Sequence, residues 1–136
     1  MKTRRSSQGF VLIEVLVALL IFALGMLGLL GFQANAAKLT TESQFRTDAA
    51  SIVDELFGEM RVADPTKIAT EYSSGGTALG NWEKNRLVEL GSNAKLDSIK
   101  VVAGPSNSFQ VDVQVSWTVP GSKSGSMSYA TSALIF

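Results

Sequence analysis

Between Phe10 and Phe32 the chain carries a single charge, Glu14, inside a run that is otherwise apolar. An α-helix needs about 20 such residues to cross the hydrocarbon of a bilayer, and only a helix or a closed barrel keeps its backbone hydrogen bonds satisfied there. A membrane-spanning helix is therefore expected near the N-terminus. Lys2, Arg4 and Arg5 precede it, and the positive-inside rule holds them in the cytoplasm and sends everything after Phe32 outward. A carboxylate at the centre of such a helix costs about 2.5 to 3.5 kcal/mol on insertion scales, less near the entry edge where Glu14 lies. Either it snorkels to the interface or it finds a partner. If the chain were cut between Gly9 and Phe10, the new α-amine would lie one helical turn from Glu14. In a stack of such helices the carboxylate of one chain would neutralise the amine of a neighbour.

The segment Lys2-Thr3-Arg4-Arg5-Ser6-Ser7-Gln8-Gly9, followed by Phe10-Val11-Leu12-Ile13-Glu14-Val15-Leu16-Val17-Ala18-Leu19-Leu20, closely resembles the class III signal of type IV pilins and type II secretion pseudopilins. Its elements are a basic leader, Gly, Phe, three apolar residues and Glu. The resemblance implies cleavage after Gly9 by a prepilin peptidase, N-methylation of Phe10, and a role for Glu14 in ordering subunits during assembly. The continuation Ile21 to Gln33 is most similar to the minor pilins. It covers about a quarter of the chain. The fold it implies is α+β, one long N-terminal helix packed on a small antiparallel sheet. The function it implies is that of a minor pilin supporting type IV pilus initiation, adhesion and twitching motility, with a type II secretion minor pseudopilin as the alternative. Implied partners are other minor and major pilins, the prepilin peptidase, a tip adhesin and inner-membrane lipid. The expected location is the bacterial inner membrane, single pass with a cytoplasmic N-terminus, and afterwards the pilus in the periplasm and at the cell surface.

The organisation expected is a cleaved leader over 1–9, a transmembrane and assembly helix over 10–33, and an amphipathic helix with a globular head over 34–136. A head of about 100 residues has a small core. Cysteine is absent, so no disulfide staples it even in an oxidising compartment. The leader supplies three of the twelve basic residues and none of the twelve acidic ones. Cleavage would leave nine basic against twelve acidic side chains, a net charge of −3. That mild acidity gives no support to nucleic-acid binding, which calls for a clustered basic face. With no His and no Cys, no phosphate-binding loop and no metal-ligand spacing, no catalytic, cofactor or metal residues are assigned and no enzyme is expected. Ala34-Asn35-Ala36 has the A-x-A form of an ordinary signal-peptidase site, which would make the product a secreted binding domain. An h-region of that kind spans roughly 7 to 15 uncharged residues, shorter than this run and lacking a Glu14. An uncleaved, signal-anchored domain is the remaining alternative.

Gly25, Gly28 and Gly31 recur every third residue. They suit close helix packing or allow this part of the helix to stretch when subunits pack. After Gln33 the pattern turns amphipathic. Phe45, Ala49, Ile52, Val53, Leu56, Phe57 and Met60 follow 3 and 4 spacing, while Arg46, Asp48, Asp54, Glu55, Glu59 and Arg61 occupy other faces. The helix is expected to stop before Asp64-Pro65, giving about 54 residues and roughly 80 Å. The carboxylates Asp54, Glu55 and Glu59 read as a solvated face. Residues 65–97 read as a connector, with a loop at 72–77, a short helix within 78–90 and a stop at Gly91-Ser92-Asn93. Trp82 is expected in the core. Phe109 to Val119 alternates strictly between apolar and polar residues, the signature of a half-buried strand. Strands over 96–102 and 127–136 complete a three-stranded antiparallel meander through turns at 104–108 and 120–125. Its buried face needs an apolar partner, and the stripe through Ile52, Leu56 and Met60 supplies one.

Overall fold

The computed structural model describes residues 8–91, 93–119 and 125–136. The basic residues Lys2, Arg4 and Arg5, Ser92 of the expected helix stop, and most of the expected 120–125 turn lie outside the described residues. The chain divides into two compact units, Met1–Thr40 and Thr41–Phe136. A single helix, α1 (Gln8–Val62), runs through 55 residues. From Phe10 to Phe32 it carries no charge but Glu14, and its large apolar side chains there are all exposed.

In the second unit the same helix buries one stripe. Ala49, Ile52, Val53, Leu56, Phe57 and Met60 are all buried, while Asp48, Asp54 and Glu55 stay exposed. This is the 3 and 4 periodicity expressed as geometry, because residues at those spacings share a helix face. The helix stops at Val62, as the Asp64-Pro65 step requires. Ala63 N–H still reaches back to the Glu59 carbonyl at 3.1 Å.

The sheet has three antiparallel strands in the order β1 (Lys95–Ala103), β2 (Phe109–Thr118), β3 (Ser126–Ile135). The central strand buries Phe109, Val111, Val113, Val115 and Trp117 on one face, joined by Val119, and leaves Gln110 and Gln114 outside. Those residues and the α1 stripe form one hydrophobic core with Ile135. The α+β arrangement expected of a pilin, a long apolar helix packed on a small antiparallel sheet, is the one the chain adopts. β1 and β2 meet through Gly104-Pro105-Ser106-Asn107-Ser108. Ser106 and Asn107 both take φ of 58°, a left-handed conformation that asparagine tolerates better than most residues. The Gly104 N–H closes the turn on the Ser108 carbonyl at 2.7 Å.

The connector is more ordered than its composition suggests. Asp64 and Pro65, which end α1, also begin a second helix, α2 (Pro65–Glu71). Asp64 accepts from the Thr66 N–H at 2.9 Å and from its hydroxyl at 2.7 Å, and Pro65 fills the first helical turn. Ile68 and Tyr72 drop into the core. A side chain at Gly76 would place Cβ 2.1 Å from the Glu71 carbonyl oxygen, so only glycine fits that turn. α3 (Thr77–Asn85) and a 3-10 turn (Leu87–Leu90) follow, with Leu79, Trp82, Leu87 and Leu90 buried and Val88 exposed. Trp82 is a core residue, and its indole N–H donates to the Ile52 carbonyl at 3.3 Å.

Candidate functional site

The candidate site is the start of α1. Gly9, Phe10 and Glu14 all lie within its first two turns. Phe10 is 75% exposed and Glu14 is exposed. Phe10 and Glu14, four residues apart, share one helix face. The apolar side chains that continue the helix have no cover within the chain: Leu16, Ile21, Phe22 and Leu27 are each more than 60% exposed. The helix is long and apolar enough to cross a membrane by length and composition. An all-round apolar surface of this extent is not stable in water, so lipid or other helices must cover it. Within that environment a lone carboxylate calls for a cation nearby.

The three glycines in this stretch face open space. A Cβ added at Gly25, Gly28 or Gly31 meets nothing within 4 Å, and the backbone is helical through all three. Close packing against other helices is therefore sterically open to them.

Among the described residues no group of three or more acidic, His or Cys side chains is placed to hold a metal ion. Of the three carboxylates in the last turns of α1, Asp54 and Glu55 are exposed and Glu59 is half-buried. Glu55 accepts from Arg86, whose Nε lies 2.8 Å away, and Arg86 also reaches Glu89 at 2.5 Å. The hydrogen bond to Glu55 raises the guanidinium pKa above its ordinary value. The pairing joins α1 to the segment after α3, across 31 positions of sequence. No periodicity announces a contact of that kind. Glu59, Ala78, Asn81, Trp82, Asn85 and Arg86 line an open, shallow cleft beside the bridge. Nearby, burial raises the pKa of the Tyr72 phenol above its ordinary value, and the charges of Glu59 and Glu71 add to the shift. The arrangement braces the head.

Comparison with known proteins bears on the N-terminus. Residues 4–30 match the family described as the prokaryotic N-terminal methylation motif, a type IV pilin-like prepilin signal. The match spans the basic residues Arg4 and Arg5, the Gly9-Phe10 step, Glu14 and most of the apolar run. It supports a pilin or pseudopilin that is processed by a prepilin peptidase, assembles with other pilins and is anchored in a membrane by its first helix. No curated protein and no solved structure matches the chain.

Proposed function

We propose that this chain is a minor pilin, PilV-like, and serves as a structural subunit in the initiation or tip complex of a type IV pilus. The observation that carries the reading is the methylation motif over residues 4–30. The exposed apolar helix that the motif largely spans and the small α+β head agree with it. In this reading residues 1–9 are a leader removed after Gly9, residues 10–33 are the membrane and assembly helix, and residues 34–136 form the amphipathic helix and head. Phe10 receives the N-methyl group and Glu14 pairs with the α-amine of a neighbouring subunit. The subunit waits in the inner membrane with its N-terminus in the cytoplasm, then leaves the bilayer as its helix packs against other minor and major pilins. Adhesion, through a tip adhesin, and twitching motility depend on that fibre.

The test is intact mass and N-terminal sequencing of the protein from its native membrane, with and without the prepilin peptidase. A chain beginning at methylated Phe10 that disappears without the peptidase is the expected result. A chain beginning at Met1 or at Ala37 would overturn the assembly reading and leave an anchored or secreted domain. Deleting the gene then separates pilus from secretion system. Loss of surface pili with intact protein secretion is expected, whereas the reverse phenotype would make this a type II secretion pseudopilin.

A further inference from the structure

Both tryptophans of the chain are buried in the head, but their indole N–H groups are treated differently. Trp82 donates to the Ile52 carbonyl at 3.3 Å. Trp117, on the central strand and 1% exposed, holds an Nε1 with no hydrogen-bond partner among the described residues. Buried polar groups in native proteins are nearly always paired, so an exception calls for an explanation. The nearest residues on the same side of the chain, Val115 and Val119, are buried and have no polar side-chain atom. Directly across on β3 stands Met127, whose thioether is at best a weak acceptor.

Trp117 and Met127 share the core-facing side of the sheet. The odd-numbered residues of β2 from Phe109 to Trp117 are buried, and those of β3 from Met127 to Ala133 are half-buried. Residues opposite each other in an antiparallel pair have Cβ atoms about 4.5 to 5.5 Å apart, and the unbranched methionine side chain adapts readily to its neighbours. Met127 lies on an outer strand and packs against the core without being sealed inside it. The head's other methionine, Met60, is fully buried, and Met26 belongs to the apolar stretch that lipid or other helices must cover. Cysteine is absent. Met127 is therefore the sulfur of the head that an oxidant in water meets first.

We propose that Met127 is a site of reversible oxidation by peroxide, and that the Trp117 indole N–H binds the sulfoxide oxygen. The Met127 sulfur gives a lone pair to one oxygen of hydrogen peroxide and the O–O bond breaks. The second oxygen takes the proton of the first and leaves as water. Sulfur loses two electrons and peroxide gains them. The new S–O group is a strong acceptor, and rotation about the side-chain bonds turns it toward the unpaired donor. A methionine sulfoxide ordinarily disrupts a core, because a polar group enters apolar surroundings. Here it enters beside a buried donor that lacks a partner, so oxidation completes a hydrogen bond and the head stays folded. Reductases return the sulfoxide to the thioether, which makes the modification a cycle. The proposal concerns the head alone and does not rest on the minor-pilin role.

The experiment treats the full-length protein in detergent micelles with dilute hydrogen peroxide, locates the added oxygen by peptide mass, and follows the indole N–H signals of isotope-labelled protein by NMR. Met127 should oxidise about tenfold faster than Met60, in keeping with its greater exposure. The Trp117 indole proton should then move downfield as it gains an acceptor, while that of Trp82, already bonded to Ile52, stays. Whichever of Trp82→Phe and Trp117→Phe retains the fold assigns the two signals. Oxidation should lower the urea midpoint of Trp117→Phe about twice as far as that of the wild type, because the variant has the thioether without the donor. Met127→Leu should abolish the response to peroxide, and methionine sulfoxide reductase should restore both the mass and the Trp117 signal. Where Trp117→Phe does not fold, the wild-type signal decides alone. Oxidation of Met60 ahead of Met127, a Trp117 signal that stays put once Met127 carries oxygen, or equal losses of midpoint in wild type and Trp117→Phe would each overturn the proposal.

Discussion

Residues 10–32 and residues 49–60 belong to the same helix and obey opposite rules of solvation. In the first stretch Phe10 is 75% exposed and Leu16 65% exposed, on a surface that is apolar all round. In the second, Leu56 and Met60 are fully buried while Asp54 and Glu55 face water. The backbone geometry is common to both, so helix formation cannot be what distinguishes them. The difference is where each stretch finds its apolar partner. The second finds it within the chain, in Val111, Val113, Val115 and Trp117 of β2. The first can find it only in lipid or in other chains. Folding of the head and assembly are therefore encoded in one continuous element by a change of pattern near Gln33.

The sharpest way to break this comparison is to remove the same atoms from both stretches. Leu56→Ala is expected to destabilise the head by about 2 to 5 kcal/mol, since a fully buried leucine leaves a cavity behind. Leu24→Ala, 62% exposed in the same helix, should leave the urea midpoint of the head unchanged. A shift with Leu24→Ala comparable to that with Leu56→Ala would mean that the two stretches are not energetically separate. Next in size comes Glu14→Ala. Removing a carboxylate from an apolar segment favours insertion by up to about 2.5 to 3.5 kcal/mol, so the variant should remain in the membrane fraction. Its recovery in sheared fibres should fall sharply, and normal recovery would contradict the pairing role of Glu14.

A smaller contrast lies inside the head. The Trp82 indole donates to the Ile52 carbonyl, whereas the buried Trp117 Nε1 has no hydrogen-bond partner among the described residues. Leaving a buried donor unpaired costs roughly 1 to 3 kcal/mol. Phenylalanine at position 117 removes that cost along with the ring area, while at position 82 it removes a satisfied bond. Trp82→Phe is therefore expected to destabilise by about 1 to 2 kcal/mol more than Trp117→Phe. Equal denaturant midpoints for the two variants would show that the Trp117 N–H is satisfied in solution.

The legible parts of this molecule are those governed by periodicity or by a local motif. The strand Phe109–Thr118 and the stripe through Ile52, Leu56 and Met60 follow from spacing alone, and the end of α1 follows from the Asp64-Pro65 step. The Gly9-Phe10…Glu14 pattern is legible for a different reason, because it lies within a linear motif spanning residues 4–30. α2 escaped because its seven residues are too few for a hydrophobic period. The Asp64-Pro65-Thr66 cap was present all the same, and one proline serves as the stop of one helix and the first residue of the next. The Arg86–Glu55 pair, 31 residues apart, depends on how the connector packs, which no local window contains. The outer strand β3 lies between these extremes. Its lack of charge is plain in the sequence, but that it is an edge is a fact of strand order.

That cap yields the smallest effect expected. Hydrogen bonds from the Thr66 hydroxyl and N–H, with a lesser contribution from Lys67, lower the Asp64 pKa below its ordinary value of 3.8. A carboxyl whose pKa is depressed on folding contributes stability that is present above the unfolded value. The contribution is lost as pH falls through the folded one. The window therefore opens near pH 3.8 and extends below it. Asp64→Asn keeps a side-chain oxygen for the cap but cannot titrate. Because all other carboxylates are common to both proteins, the difference in melting temperature between wild type and Asp64→Asn isolates this group. It should be constant from neutral pH down to about pH 5 and should shift against the wild type below pH 4. A difference that stays flat to pH 2 would show that the Asp64 cap does not form in solution. In that case the start of α2 would rest on Pro65 and on the burial of Ile68 alone.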